Sequence, residues 1–316
     1  MREYSPGHPL VFCHIPKSAG TSLTAALVQA LQPKRPVVGV DLTLLGGYEL
    51  EGLSAVVRAG IITSPEDLPA DATLVAGHIS PGTTMARVPD ADHVTTLRNP
   101  RSRVASQWIH SRAMSEWDLR HWGSVGTAFR LGWLPFADYL QREIIAPNVD
   151  NTITRFLAWP HPLLQRSAFI EERHDDELLA VAMGRLEQFA HVGVVENPAF
   201  LAELGTWLGR DLPDARQNER TSIPRKRRPD LDAEMSPSTI DLLDHRTRLD
   251  QQVWAEVVRR SLDEDPKDVL QSSWEKSIAR YASVMDNRGE SRPVRQAVVA
   301  LYELKSRIGS RVDPED

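Results

Sequence analysis

Apolar positions run along this chain in two rhythms. Short continuous runs bounded by turn residues occupy the first hundred positions: HPLVFCHI at 8–15, VVGVDL at 37–42, ATLVAGHI at 72–79 and HVTTLR at 93–98. Runs of this length, rich in Val, Ile, Leu and Phe, predict strands buried on both faces of a parallel sheet. Between them apolar residues recur at helical spacing, as in TSLTAALVQAL at 21–31 and in RSRVASQWIHSR, which follows the break Asn99-Pro100. Strands alternating with helices imply right-handed crossovers and an α/β fold.

Past residue 105 the helical rhythm dominates. FADYLQREI, NTITRFLAW, DDELLAVAMGRLEQF and PAFLAELGTWLG each predict a helix, and HVGVV at 191–195 predicts a late strand returning to the same sheet. The stretch 211–238, rich in Pro, Arg and Asp, reads as a loop, and SPSTIDLLDHRTRLDQQVWAEVVRRSL resumes helix. RVDPED, 311–316, reads as a frayed tail. No repeat or low-complexity linker interrupts the chain. The expected organisation is an α/β domain over 1–260, a P-loop-like parallel sheet flanked by helices, followed by a helical extension and tail over 261–316.

Composition narrows the class. Of 316 residues, 41 % are hydrophobic and 25 % charged, as expected of a globular chain with a core. No segment approaches the roughly 18–20 apolar residues that span a bilayer, and MREYSPGHPLVF lacks the features of a secretory signal. The single cysteine, Cys13, has no partner for an internal disulfide, so a cytoplasmic setting is expected. A net charge of −6 argues against a nucleic-acid coat protein. Positive charge is local, in RNPRSR at 98–103 and RKRR at 225–228; the latter is either a solvated loop or a funnel for an anionic acceptor. Of the 37 basic residues only 6 are lysines, so Lys17, inside HIPKSAGTS, comes from a scarce type.

A strand that enters a glycine-containing turn and opens a helix makes an anion site. Backbone amides point outward there, and the helix N-terminus adds about half a positive charge. Lys17 adds a full charge, and Thr21 and Ser22 add hydroxyl donors. The Walker pattern places lysine directly after its second glycine, whereas Lys17 precedes Gly20 by three residues. This counts against a magnesium-dependent ATPase or GTPase and suits a loop gripping a 5′-phosphate. The alternative is a turn that merely carries these residues.

HIPKSAGTS resembles the 5′-phosphosulfate loop of sulfotransferases that use 3′-phosphoadenosine 5′-phosphosulfate, in the carbohydrate branch that includes heparan sulfate 2-O-sulfotransferase. The resemblance implies that Pro16, Lys17, Ser18, Ala19, Gly20, Thr21 and Ser22 hold the 5′-phosphosulfate end, with Lys17 catalytic at the leaving group. In TTLRNPRSRVASQW it implies Arg98 and Ser106 as donors to the 3′-phosphate. NTITRFL, RLEQFAHVGVVE, LDHRTRLDQQVW and RQNERTSIPR extend the likeness over roughly 9–258. The last of these implies Arg220, Thr221 and Ser222 near the 3′-phosphate or adenine. Asn151 and Arg155 either brace a helix or touch ligand.

Sulfuryl transfer needs a base for the acceptor hydroxyl and requires no metal in principle, because the transferred group carries a single charge. His78, at a predicted strand end, leads. Relatives carry His-Gly-His, whereas this chain has Ala76-Gly77-His78. Glu49 and Glu51 are the fallback and Asp41 a weaker one, while His14 and His93 read as packing residues. Trp108, Trp117, Trp122 and Trp133, interleaved with His110, Arg112 and His121, suit either stacking on an acceptor or a helical lid. The expected acceptor is a hydroxyl, by analogy a saccharide, with a lipid-linked or natural-product alcohol as the alternative. The rival functions are a magnesium-dependent P-loop kinase and a nucleotide-binding protein that has lost its base.

Overall fold

The computed structural model describes residues 2–34, 36–213 and 223–286. Its centre is a five-stranded parallel sheet in the order β2-β5-β1-β6-β7, built from β1 (Leu10–Cys13), β2 (Pro36–Val37), β5 (Leu74–Gly77), β6 (Asp92–Leu97) and β7 (His191–Val194). β1 sits in the middle, in register with β5 through Leu10 opposite Leu74 and with β6 through Leu10 opposite Asp92. Helices cover both faces, which is why LVFC contains no polar residue. Leu10 and Phe12 pack against α1 (Gly20–Leu31) and α6 (Phe200–Leu208), through Leu23, Leu27, Leu204 and Leu208. Val11 and Cys13 face the opposite way, toward α4 (Thr152–Ala158), α5 (Asp175–Leu186) and α8 (Arg248–Ser261).

The run VVGVDL is not one strand. Val37 ends β2 in the main sheet, and β3 (Val40–Asp41) leaves to pair with β4 (Ile61–Ile62) in a separate two-stranded sheet. Gly39, between them, lies against Gly77, where a Cβ would come within 2.4 Å of the Gly39 carbonyl oxygen. Only glycine at position 77 permits this close backbone approach. The crossing is fixed by His78 N donating to Gly39 O and Asp41 N donating to His78 O.

Two further helices flank β6 in sequence, α2 (Pro81–Arg87) before it and α3 (Pro100–Ala113) after it, the latter capped by Asn99 Oδ1 accepting from Ser102 N. A second apolar cluster surrounds α3 and includes Trp108, Phe136 and Tyr139. α7 (Pro237–Arg246) contributes Leu243 to it, and α9 (Pro266–Asp286) contributes Trp274 and Tyr281. The described part of the expected C-terminal extension thus packs onto the α/β core. Among the described residues no helix is long and apolar enough to cross a membrane. The tail 311–316 lies outside the described residues.

The later resemblance motifs have a structural use. Asn151 takes a left-handed conformation before α4, and its Oδ1 accepts from Leu249 N and Asp250 N at the start of α8. Asp250 answers by accepting from Ile153 N, Thr154 N and Thr154 Oγ1 at the start of α4. Each helix start is therefore capped from the other. Arg155 is locked in a buried pair with Asp150 at 2.7 Å, so both it and Asn151 brace the helices.

Candidate functional site

The loop from Cys13 to Gly20 gets its shape from two non-glycine residues in left-handed conformation, Lys17 at φ 70° and Ala19 at φ 60°. Such positions cost energy and persist only where the surroundings enforce them. Strand β6 does the enforcing. Thr95 Oγ1 donates to Cys13 O at 2.7 Å, Thr96 Oγ1 to Ser18 O at 2.8 Å, and Arg98 Nη1 to Lys17 O at 3.1 Å. All three anchors engage carbonyl oxygens and none uses a loop amide. The amide side of the loop, continuing into the first turn of α1, is the side suited to an anion. Ser18 is fully buried, and its Oγ finds no partner among the described residues. Pro16 and Gly20 are buried beside it, while Ala19 and Thr21 are exposed and Ser22 half-buried.

Gly20 is required by a side chain rather than by its own torsions. A Cβ there would lie 1.8 Å from His14 Cδ2. The His14 ring stacks on Phe12 at 5.5 Å and approaches His78 at 4.1 Å. Burial, and then the neighbouring His78 and Lys17, hold His14 unprotonated. It packs beside the loop.

His78 follows the last residue of β5. Its Nδ1 lies 2.7 Å from the backbone carbonyl of His14. A carbonyl only accepts, so Nδ1 carries the proton and Nε2 is left as the basic nitrogen. Burial lowers its pKa to about 4, with Lys17 adding to the shift and the His14 hydrogen bond opposing it. Lys17 is pushed down to about 8 by burial and by the charges of Arg98 and Arg103.

α3 brings a residue that the motifs did not assign to this cluster. His110 is depressed to about 3, first by the Lys17 charge, then by burial and His78. It stands four residues after Ser106 and seven after Arg103, so the three share the helix face toward Lys17. Ser106 is half-buried on that face. The signal was its i+4 spacing from Ser106.

Arg98 sits just past β6, and its contacts extend to the C-terminal helix. Nη2 approaches Ser277 Oγ at 3.5 Å and Tyr281 OH at 3.4 Å. The adjoining turn is held by Glu196, whose Oε1 accepts from Asn99 N and whose Oε2 accepts from Trp254 Nε1. Arg220, Thr221 and Ser222 lie outside the described residues.

Asp41 touches this cluster through its backbone, its N donating to His78 O, but the fallback carboxylates are themselves exposed or already engaged. Glu49 and Glu51 are exposed. Asp41 is buried and already accepts from Thr43 N, Ser80 N, Ser80 Oγ and Thr83 Oγ1. His93 bonds Thr84 Oγ1 and Ala91 O within the core. Trp108 is wholly buried, so it offers no stacking face, whereas Trp117 is exposed with Arg120 over its ring. Arg227 stacks on Trp133 and donates to Met114 O, and Arg228 donates to Met285 O, leaving Arg225 and Lys226 as the exposed half of RKRR. Among the described residues no group of three or more His, Cys, Asp or Glu could hold a metal ion. The chain matches no protein-family model and no curated protein sequence.

Proposed function

We propose that the chain is a cytoplasmic sulfotransferase with a P-loop-like nucleotide site, which moves a sulfuryl group from 3′-phosphoadenosine 5′-phosphosulfate to a hydroxyl, by analogy that of a saccharide. The observation that carries this reading is the grouping of Lys17, the correctly tautomerised His78 and Arg98 at the ends of adjacent parallel strands. That edge is where open α/β sheets bind ligands. The residues fit the donor: an orphaned Ser18 hydroxyl and the loop amides suit its 5′ end, and Arg98 with Ser106 suits its 3′-phosphate. The donor, when bound, supplies the sulfuryl group and a bisphosphate leaving group.

Each side chain then has a task. Lys17 meets negative charge developing on the leaving phosphate, in a half-buried setting that strengthens its effect. His78 Nε2 takes the acceptor's hydroxyl proton while Nδ1–H stays on the His14 carbonyl, which fixes the ring. Anionic ligand beside Lys17 offsets the smaller cause of the His78 shift, the Lys17 charge, while burial, the larger cause, remains. Trp117, Arg225 and Lys226 are exposed and suit an acceptor with anionic groups.

The test is transfer of labelled sulfate to a panel of saccharides and simple alcohols without magnesium. Turnover should fall about 10²–10⁴-fold in His78→Ala, the range for loss of a general base, and comparably in Lys17→Ala. Phosphate transfer from magnesium–ATP in place of sulfate transfer, or turnover indifferent to His78, would overturn the proposal.

A further inference from the structure

Helix α9 lies beyond the segment whose sequence resembles sulfotransferases, yet it is built into the Arg98 corner. Asn99 Nδ2 donates to Leu270 O and Ser273 Oγ, and Arg101 Nη1 reaches Gln271 Oε1. Trp274 and Tyr281 are buried in the cluster around α3. Ser277 and Tyr281 stand four residues apart, one turn along the same helix face. Their hydroxyl oxygens converge on one atom, Arg98 Nη2, at 3.5 and 3.4 Å.

The bonding leaves this corner ready for an anion. Arg98 donates only to neutral acceptors among the described residues, namely Lys17 O and the two hydroxyls. As acceptors, Ser277 and Tyr281 keep their own protons, and Tyr281 OH donates to Ser102 O at 3.4 Å. An oxyanion gripped by Nη2 comes within reach of both hydroxyls as donors. Ser102 is itself 1 % exposed, and its Oγ has no partner among the described residues.

We infer that Ser277 and Tyr281 are further ligands of the anion that Arg98 holds, so that α9 forms one wall of the nucleotide site. Under the proposed function, on which this rests, that anion is the 3′-phosphate. Without ligand the two hydroxyls hold the guanidinium in place; with ligand they turn their protons to the phosphate. α9 thereby contributes to preference for a 3′-phosphorylated nucleotide.

The experiment is calorimetric titration of the full chain with adenosine 3′,5′-bisphosphate and with adenosine 5′-monophosphate. Wild type is compared with Ser277→Ala, Tyr281→Phe and the double variant, phenylalanine keeping the buried ring. Each single change should weaken bisphosphate binding about tenfold, the worth of a hydrogen bond to a charged group, and leave monophosphate binding within about twofold. Unchanged bisphosphate affinity in all three variants would overturn the inference while leaving a bisphosphate-preferring wild type as a nucleotide-binding protein. Equal loss for both nucleotides would reduce α9 to a packing role and overturn it too. A wild type that does not prefer the bisphosphate removes the functional reading, and the inference with it.

Discussion

In Gly20→Ala two effects of known size oppose each other. Gly20 opens α1 without a left-handed torsion, so alanine's helix preference alone would stabilise by up to about 1 kcal/mol. Against it, the new Cβ would sit 1.8 Å from His14 Cδ2, 2.0 Å from Nε2 and 2.2 Å from Cγ. Ordinary contact begins at 3.4 Å, so the whole ring must retreat by about 1.5 Å. Phe12 stacks on one side of it, and His78 lies 4.1 Å away and is hydrogen-bonded to the His14 carbonyl. Forcing extra volume into such a site costs about 1–3 kcal/mol. The crowding of a whole ring puts this near the upper end, for a net loss of about 2 kcal/mol. For a chain of 316 residues the melting temperature should then fall by about 3 °C. Calorimetric melts of wild type, Gly20→Ala, His14→Ala and the double variant form a cycle. With His14 reduced to alanine the clash is gone, and Gly20→Ala should become neutral or stabilising. A Gly20→Ala protein that melts at or above wild type, or that loses as much stability in the His14→Ala background, would refute the reasoning.

Three other outcomes follow from the same geometry. Because folded His78 titrates near 4 and the unfolded residue near 6.5, the unfolded chain binds the proton first as pH falls. Stability should therefore drop between about pH 6.5 and pH 4, on the order of 3 kcal/mol from His78 alone, and urea unfolding at pH 7.5, 6 and 5 would contradict this if flat. Lys17 near 8 implies that adenosine 3′,5′-bisphosphate binding weakens as pH rises above 8, approaching tenfold per unit, and that Lys17→Met removes this slope in titrations from pH 7 to 9.5. Asp250→Ala strips the cap from α4 and deprives buried Arg103 of its nearby carboxylate, so urea unfolding should show a loss of about 3–5 kcal/mol; a loss under 1 would count against the reciprocal capping.

The central strand β1 was legible because burial on both faces leaves no polar position in it; LVFC alternates between two helical layers, and both layers are apolar. HIPKSAGTS was legible as a strand–loop–helix turn for the same local reasons. VVGVDL misled because its apolar pattern is continuous, while the departure of β3 depends on the close approach of Gly39 to Gly77, far along the chain. The reason for Gly20 lay in the His14 ring, which spacing alone does not reveal. Asn151 and Asp250, which cap each other's helices, are 99 residues apart, and Arg98 meets Ser277 and Tyr281 across 179 and 183. Contacts at such separation leave no periodic trace. His110 was within reach of helical geometry, one turn after Ser106, but its place beside Lys17 needed the packing of α3 on the loop.

The central claim is that Lys17 to Ser22 and Arg98 hold the two ends of a 3′-phosphorylated nucleotide. Calorimetric titration with adenosine 3′,5′-bisphosphate in the absence of magnesium, beside ATP with magnesium, on wild type and Arg98→Ala, tests it most directly. Bisphosphate should bind more tightly than ATP, and Arg98→Ala should weaken that binding by about 10–100-fold, the loss of a charge-assisted phosphate contact. Preference for magnesium–ATP, or bisphosphate affinity indifferent to Arg98, would contradict it.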